Sequence, residues 1–251
     1  VVQITINPKI IMTVLFSILC LLAIGHFSAI YVIFELGYYN ETIFDYVNLD
    51  DEQNLPTFFS AFLLLFASLL LFVIFSYHRQ ERNKDYKYWL GLACIFLFLA
   101  VDESSKIHEK VIDVYWTYFG MHENDLVDNF IWVAVYGTLA LIVAALYFRF
   151  VISQPRKICC LIFISAGLYV SGALGMEILG ALYIDQSWFR ESVTNDYSHF
   201  DAKYFLISGT EETMEMLGAL TFVYTLLKYI EMKWNGLSIH GRLTNGPMST
   251  I

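Results

Sequence analysis

Six apolar runs dictate what this chain can fold into. They cover residues 9–34, 56–77, 87–106, 129–150, 157–183 and 204–229. A hydrocarbon core of about 30 Å is crossed by a helix of roughly 20 apolar residues. Inside that core a backbone must satisfy its own hydrogen bonds, which only helices and closed barrels do. The runs lack the alternating hydropathy of barrel strands. The sequence therefore predicts an all-α membrane protein, a bundle of six transmembrane helices forming one domain over residues 1–251. Composition agrees: 57% of residues are hydrophobic and only 16% charged, against about 25% charged in soluble domains. The net charge of −9 and the want of any basic stretch exclude a nucleic-acid partner. No cleavable signal peptide is expected, because the first run is too long and lacks a clean cleavage site. The four cysteines all fall inside apolar runs without zinc or disulfide spacing, and read as packing residues.

Basic residues set the expected orientation. His78 to Lys87, Arg149 to Lys157 and the tail with Lys233 and Arg242 lie on one side, together with Lys9. The opposite loops are acidic or poor in Lys and Arg, notably Glu35 to Glu52. The positive-inside rule then puts both termini in the cytoplasm, and the expected location is a bacterial inner (plasma) membrane. The third helix is expected to extend beyond the outer face, since Val111, Val114, Tyr115 and Tyr118 recur at helical spacing up to Gly120. The outer loop from Gln186 to Lys203 reads as a lid. No internal repeat is visible.

Against this apolar background seven carboxylates stand out: Asp102, Glu103 and Glu109, then Glu177, then Glu211, Glu212 and Glu215. Acids within spans are costly and usually functional. Counted from the cytoplasmic ends at 1.5 Å per residue, Asp102 and Glu103 lie at roughly 22–24 Å, Glu177 near 27–30 Å, and Glu215 to Glu211 near 21–27 Å. His26 comes out at about 25 Å on the same scale. One layer in the outer third of the bilayer is the result. Glu211, Glu212 and Glu215 share a helix face with Ser208, and Asp102, Lys106 and Glu109 form a stripe with Glu103 and Lys110 at its margin. His108 projects roughly 120° away from Asp102 on a regular helix, and joins the acids only if the chain bends near Ser104 and Ser105.

Such acids have three ways to coexist: shared protons, pairing with Lys106 and Lys110, or a bound divalent metal ion. Carboxylate oxygens alone suit calcium, magnesium or manganese, and one or two imidazoles extend the choice to iron or zinc. The candidate ligands are Asp102, Glu103, Glu177, Glu211, Glu212, Glu215, His108 and His26, supported by Lys106, Glu109 and Ser208. His26 also has a plainer role open to it, a hydrogen bond to a backbone carbonyl. His78, His122, His199 and His240 read as loop residues. The chain has no HExxH helix, no paired Glu-x-x-His, no nucleophile elbow and no P-loop. It also departs from the intramembrane prenyl-type proteases, because Met216 stands where their glutamate motif has arginine.

Three functions remain open. The first is a metal-dependent enzyme acting on a lipid or other membrane-soluble substrate from the extracytoplasmic side. The second is a cation or proton translocator, although the cytoplasmic halves of the spans carry no acid. The third is an accessory or sensor subunit that meets a membrane-protein partner or a second copy of itself.

Overall fold

Three asparagines start the first three helices. Asn7 accepts a hydrogen bond from the Lys9 N–H (3.0 Å) ahead of Pro8 and opens α1 (Pro8–Phe34). Asn40 accepts from the Ile43 N–H (3.1 Å) and opens the short α2 (Glu41–Val47). Asn54 accepts from the Thr57 N–H (3.1 Å), with Pro56 in the first turn of α3 (Leu55–Gln80). These caps satisfy amide donors that the first turn leaves unpaired, and proline lacks the donor altogether. In this computed structural model α4 (Tyr86–Ser105), α5 (Ile131–Ile152) and α6 (Arg156–Val170) follow. A π-helical turn (Ser171–Met176) leads directly into α7 (Glu177–Tyr183), and α8 (Ala202–Trp234) closes the helical part. Strands β1 (Val2–Thr5) and β2 (Ser238–Gly241) pair antiparallel in one ribbon, Val2 opposite Gly241. The structure describes residues 2–5, 7–51, 53–107, 110, 114, 117–118, 131–183, 201–234 and 238–241.

Five helices are long and apolar enough to cross a membrane: Pro8–Phe34, Leu55–Gln80, Tyr86–Ser105, Val133–Ile152 and Arg156–Gly180. The last of the expected runs lies within α8, the longest helix, where three glutamates dilute the apolar character. That helix is the axis of the fold, packed against α1, α3, α6, the π turn and α7. Leu63, Ala67, Leu71 and Ile74 recur every three or four residues along α3, all fully buried, in one core with Val223, Leu226, Leu227 and Ile230 of α8. Phe96 of α4 stacks on Phe222 of α8 at 4.5 Å between ring centroids. Hydroxyls tie the helices where they touch: Ser68 donates to the Ala93 carbonyl and Ser165 to the Gly218 carbonyl, each at 2.8 Å. The outward surface is apolar, as a lipid-facing one must be, with Leu21 68% and Leu141 73% exposed.

One expectation is corrected. His78, read as a loop residue, is buried, because α3 runs on to Gln80 and turns the imidazole inward. There it hydrogen-bonds the Tyr229 hydroxyl at 2.8 Å and stacks against Trp89. Past the third apolar run the chain turns before helical backbone recurs at Ile107, Lys110, Val114, Thr117 and Tyr118. α4 stops at Ser105, and Lys106 takes the left-handed conformation (φ 54°, ψ 42°), which redirects the chain. The amphipathic pattern at Val111 and Tyr115, Gly120, and the proposed lid over 186–200 lie outside the described residues.

Core and lipid-facing leucines should respond oppositely to truncation. Leu71→Ala is expected to cost about 2–5 kcal/mol, as for other fully buried leucines, whereas Leu141→Ala should leave thermal unfolding in detergent nearly unchanged.

Candidate functional site

Beginning with α4, Asp102 is buried and accepts a hydrogen bond from the Tyr136 hydroxyl of α5 at 2.9 Å. Glu103, one residue on and 100° around the helix, lies within electrostatic reach of Glu212 and Glu215 of α8 and of Tyr169 of α6. Glu177 opens α7 directly after the π turn and hydrogen-bonds Glu211 side chain to side chain. Glu215 accepts from the Tyr169 hydroxyl. Glutamates from α4, α7 and α8 are therefore electrostatic neighbours, with the Tyr169 hydroxyl beside Glu215. Among the described residues, no three His, Cys, Asp or Glu side chains are arranged to hold a metal ion.

The pairing depends on close helix approach. A Cβ on Gly172, within the π turn, would stand 2.9 Å from both the Glu211 carbonyl oxygen and Glu215 Cγ. Only glycine lets the π turn come this near α8, and π turns of this kind recur at functional sites. Gly209 makes similar room just before the acids of α8, since a Cβ there would run into the His26 ring.

His26 is fully buried. Its Nδ1 accepts from the Leu49 N–H (3.1 Å) and its Nε2–H donates to the Phe205 carbonyl (3.0 Å). An amide N–H can only donate and a carbonyl can only accept, so the ring is the neutral Nε2–H tautomer. Both nitrogens serve the backbone, the plainer of the two roles open to this residue. Ser208 likewise turns to its own helix, donating to the Phe205 carbonyl at 3.5 Å. The Lys110 ammonium donates to the Ser105 carbonyl at 3.1 Å. His108 and Glu109 lie outside the described residues.

Sequence reasoning missed Asp50. It reads as belonging to an acidic outer loop, yet its Oδ2 accepts from the Tyr204 hydroxyl of α8 at 3.0 Å, and it lies within reach of Glu211 and Glu212. The signal was the asparagine pattern. Asn54 donates to the carbonyls of Asp45 (3.0 Å) and Asn48 (2.7 Å), and Asn48 accepts from the Asp50 N–H (3.3 Å), which folds this loop back on itself. Tyr136, Tyr169 and Tyr204 were also missed, hidden among 17 tyrosines. At the start of α8, partial burial works against the charge of Asp201. Hydrogen bonds from the Tyr183 hydroxyl and from the Tyr204 and Lys203 amides outweigh it and hold the carboxyl below its usual range.

Apolar helices of spanning length around buried acids define an integral membrane protein of the helical class. Residues 12–229 match the model of a domain of unknown function, DUF8692, and the chain belongs to that family. No curated protein and no solved structure matches it.

The helix contacts beside the site carry a direct test. Gly209→Val should displace His26 and lower the unfolding temperature by several degrees. Gly167→Ala, where no atom lies within 4 Å of the new Cβ, should not.

Proposed function

We propose that the chain crosses the membrane six times, with α8 as the sixth span and both ends in the cytoplasm. Its acids then form a divalent-cation site reached from the extracytoplasmic side of a bacterial inner membrane. The activity best suited to such a site is metal-dependent chemistry on a lipid or another membrane-soluble substrate. One observation carries this reading: Glu177 and Glu211, from two helices, meet side chain to side chain among the glutamates of α4 and α8. Carboxylates this close repel one another unless protons or a cation stand among them. A cation of higher charge competes for the same place, displacing protons as it binds.

Glu103, Glu212 and Glu215 adjoin that pair and supply further hard oxygen donors. Small changes of side-chain rotamer convert paired acids into a converging set. The left-handed Lys106 also removes the regular-helix constraint that turned His108 away. With that imidazole the site suits iron, manganese or zinc, and without it calcium or manganese. Acids left off the metal are available as general bases.

The run of tyrosine and carboxyl groups favours a second reading, proton or cation translocation. The other half of the bundle speaks against it. From Glu215 toward Tyr229 the buried side chains of α8 include Leu220, Val223, Leu226 and Leu227, facing Leu63, Leu64, Leu71 and Ile74. The hydroxyls of Ser68, Ser165 and Thr225 are each bonded to a backbone carbonyl.

Purification in chelator-free detergent followed by elemental mass spectrometry tests the first reading. Stoichiometric divalent metal is expected at pH 7.5, at least tenfold less at pH 5, and none in a Glu211→Gln, Glu215→Gln double variant of wild-type stability. A metal-free wild-type protein that acidifies liposomes in response to a gradient establishes the second reading instead. The orientation is checked separately. A cysteine at Glu41 should react with a membrane-impermeant maleimide in intact cells, while fluorescent proteins fused to either end should remain cytoplasmic and bright.

A further inference from the structure

The segment from α2 to Asp50 sits against the outer end of α8 and is held there by few contacts. Phe44 is buried against Ile30 of α1 and Phe205 of α8, its ring 5.2 Å from that of Phe205. Asp50 reaches Tyr204. Between them Leu49 is buried, and its amide donates to His26 Nδ1 from the neighbouring span. The same ring donates to the Phe205 carbonyl, so one imidazole links α1, the loop and α8. We infer that this segment is a cap closing the acid layer from the outer face, and that His26 is its latch. The inference rests on the proposed reading of those acids as a site, but its geometry does not require a metal.

Two features mark the cap as separable from the bundle. Most of α2 is exposed, including Ile43 and Tyr46, and Phe44 is its one buried residue. Asn48 is fully buried, yet its Nδ2 has no hydrogen-bond partner among the described residues. An unpaired buried donor costs stability, and it regains a partner in water when the cap lifts. The contacts opposing this include the Phe44 ring, the Asp50–Tyr204 bond, the latch, and the Asn54 amide bonded to the Asp45 and Asn48 carbonyls, the last of these at the base of the cap. Lifting the cap carries Asp50 away from Glu211 and Glu212 and opens a path from the outer face to them. His26 is thus a positioning residue: it touches neither acid nor ligand, and acts by holding Leu49.

The two nitrogens can be tested one at a time. In His26→Asn the amide oxygen takes the place of Nδ1 and keeps the bond from Leu49. In His26→Gln the amide nitrogen takes the place of Nε2 and keeps the bond to Phe205 while losing the latch. Hydrogen exchange of peptides spanning 43–51, read by mass spectrometry without added metal, should accelerate at least tenfold in His26→Gln and less than threefold in His26→Asn. Labelling of Glu211 by a water-soluble carbodiimide should rise at least fivefold in His26→Gln alone. Equal effects in the two variants, or faster exchange spread through α8, reduce His26 to a packing residue and overturn the latch. If both variants fail to fold, the wild type decides: 43–51 must exchange at least tenfold faster than 205–215, and equal rates overturn the cap. A protein that binds no metal but shows the Gln and Asn contrast keeps its cap and loses only the metal reading.

Discussion

Every other feature of this fold answers to one constraint: α8 carries three glutamates through the middle of an apolar bundle. A lone carboxylate is poorly tolerated in such surroundings unless hydrogen bonds or a counter-charge stand beside it. Each of these three acids has a neighbour supplied by another helix. Glu211 has Glu177, Glu215 has Tyr169, and Glu212 has Glu103 within electrostatic reach. The neighbours come from α7, α6 and α4, so the acids fix which helices must stand around α8 and at what height. Burial energy from the leucine ridge of α3 holds the bundle together, but it is indifferent to a rotation of one helix by a single position. The carboxyl and tyrosine contacts are not, because a rotation of 100° would leave a polar group facing hydrocarbon.

Close approach is the second half of that arrangement. Tyrosine and carboxyl side chains are long enough to meet across an ordinary helix spacing, but the Glu177–Glu211 pair also brings backbones near. The π turn achieves this by interrupting the regular ladder of α6 and α7 just where Gly172 leaves room for α8. A continuous α-helix with alanine at position 172 would be held off by the Glu211 carbonyl. The small residues of the fifth run thus do more than ease packing, since Gly172 sets how near the π turn comes to Glu211 and Glu215.

Much of the architecture was legible in the sequence, because hydrocarbon imposes a length and a polarity that composition reveals directly. The helices begin and end within a few residues of the apolar runs, and the acids were recognisable from their surroundings alone. Three things were not legible, each for a definite reason. His78 follows an apolar run and precedes a basic one, so local sequence could not say that α3 would carry it inward to Tyr229. The break at Lys106 has no glycine or proline to announce it, and the helical spacing beyond it reads as unbroken. Asp50 acts through a loop whose fold is set by asparagine side chains bonding to distant backbone, a pattern with no periodicity to detect. The six-run reading itself rests on α8, whose acids make it the least hydropathic of the helices and the most central.

The distribution of polar groups along α8 then bears on how a site of this kind can work. From Ala202 to Glu215 the helix meets Asp50, through its own Tyr204, and Glu177, Glu103 and Tyr169. From Met216 to Leu227 its buried face is almost wholly apolar, and polar side chains return at Tyr229 with His78. The first stretch is lined by polar side chains, and the second is a packed apolar core. A translocator needs a polar or hydrated connection to both faces, while an enzyme working on a membrane-soluble substrate needs exclusion of one face and controlled access from the other. The apolar packing of α8 from Met216 to Leu227 against α3 suits the second requirement better than the first, which is why the proposed reading prefers an enzyme. On the proposed reading the chemistry would sit at the end of α8 that carries the acids, and the apolar end would hold it in place.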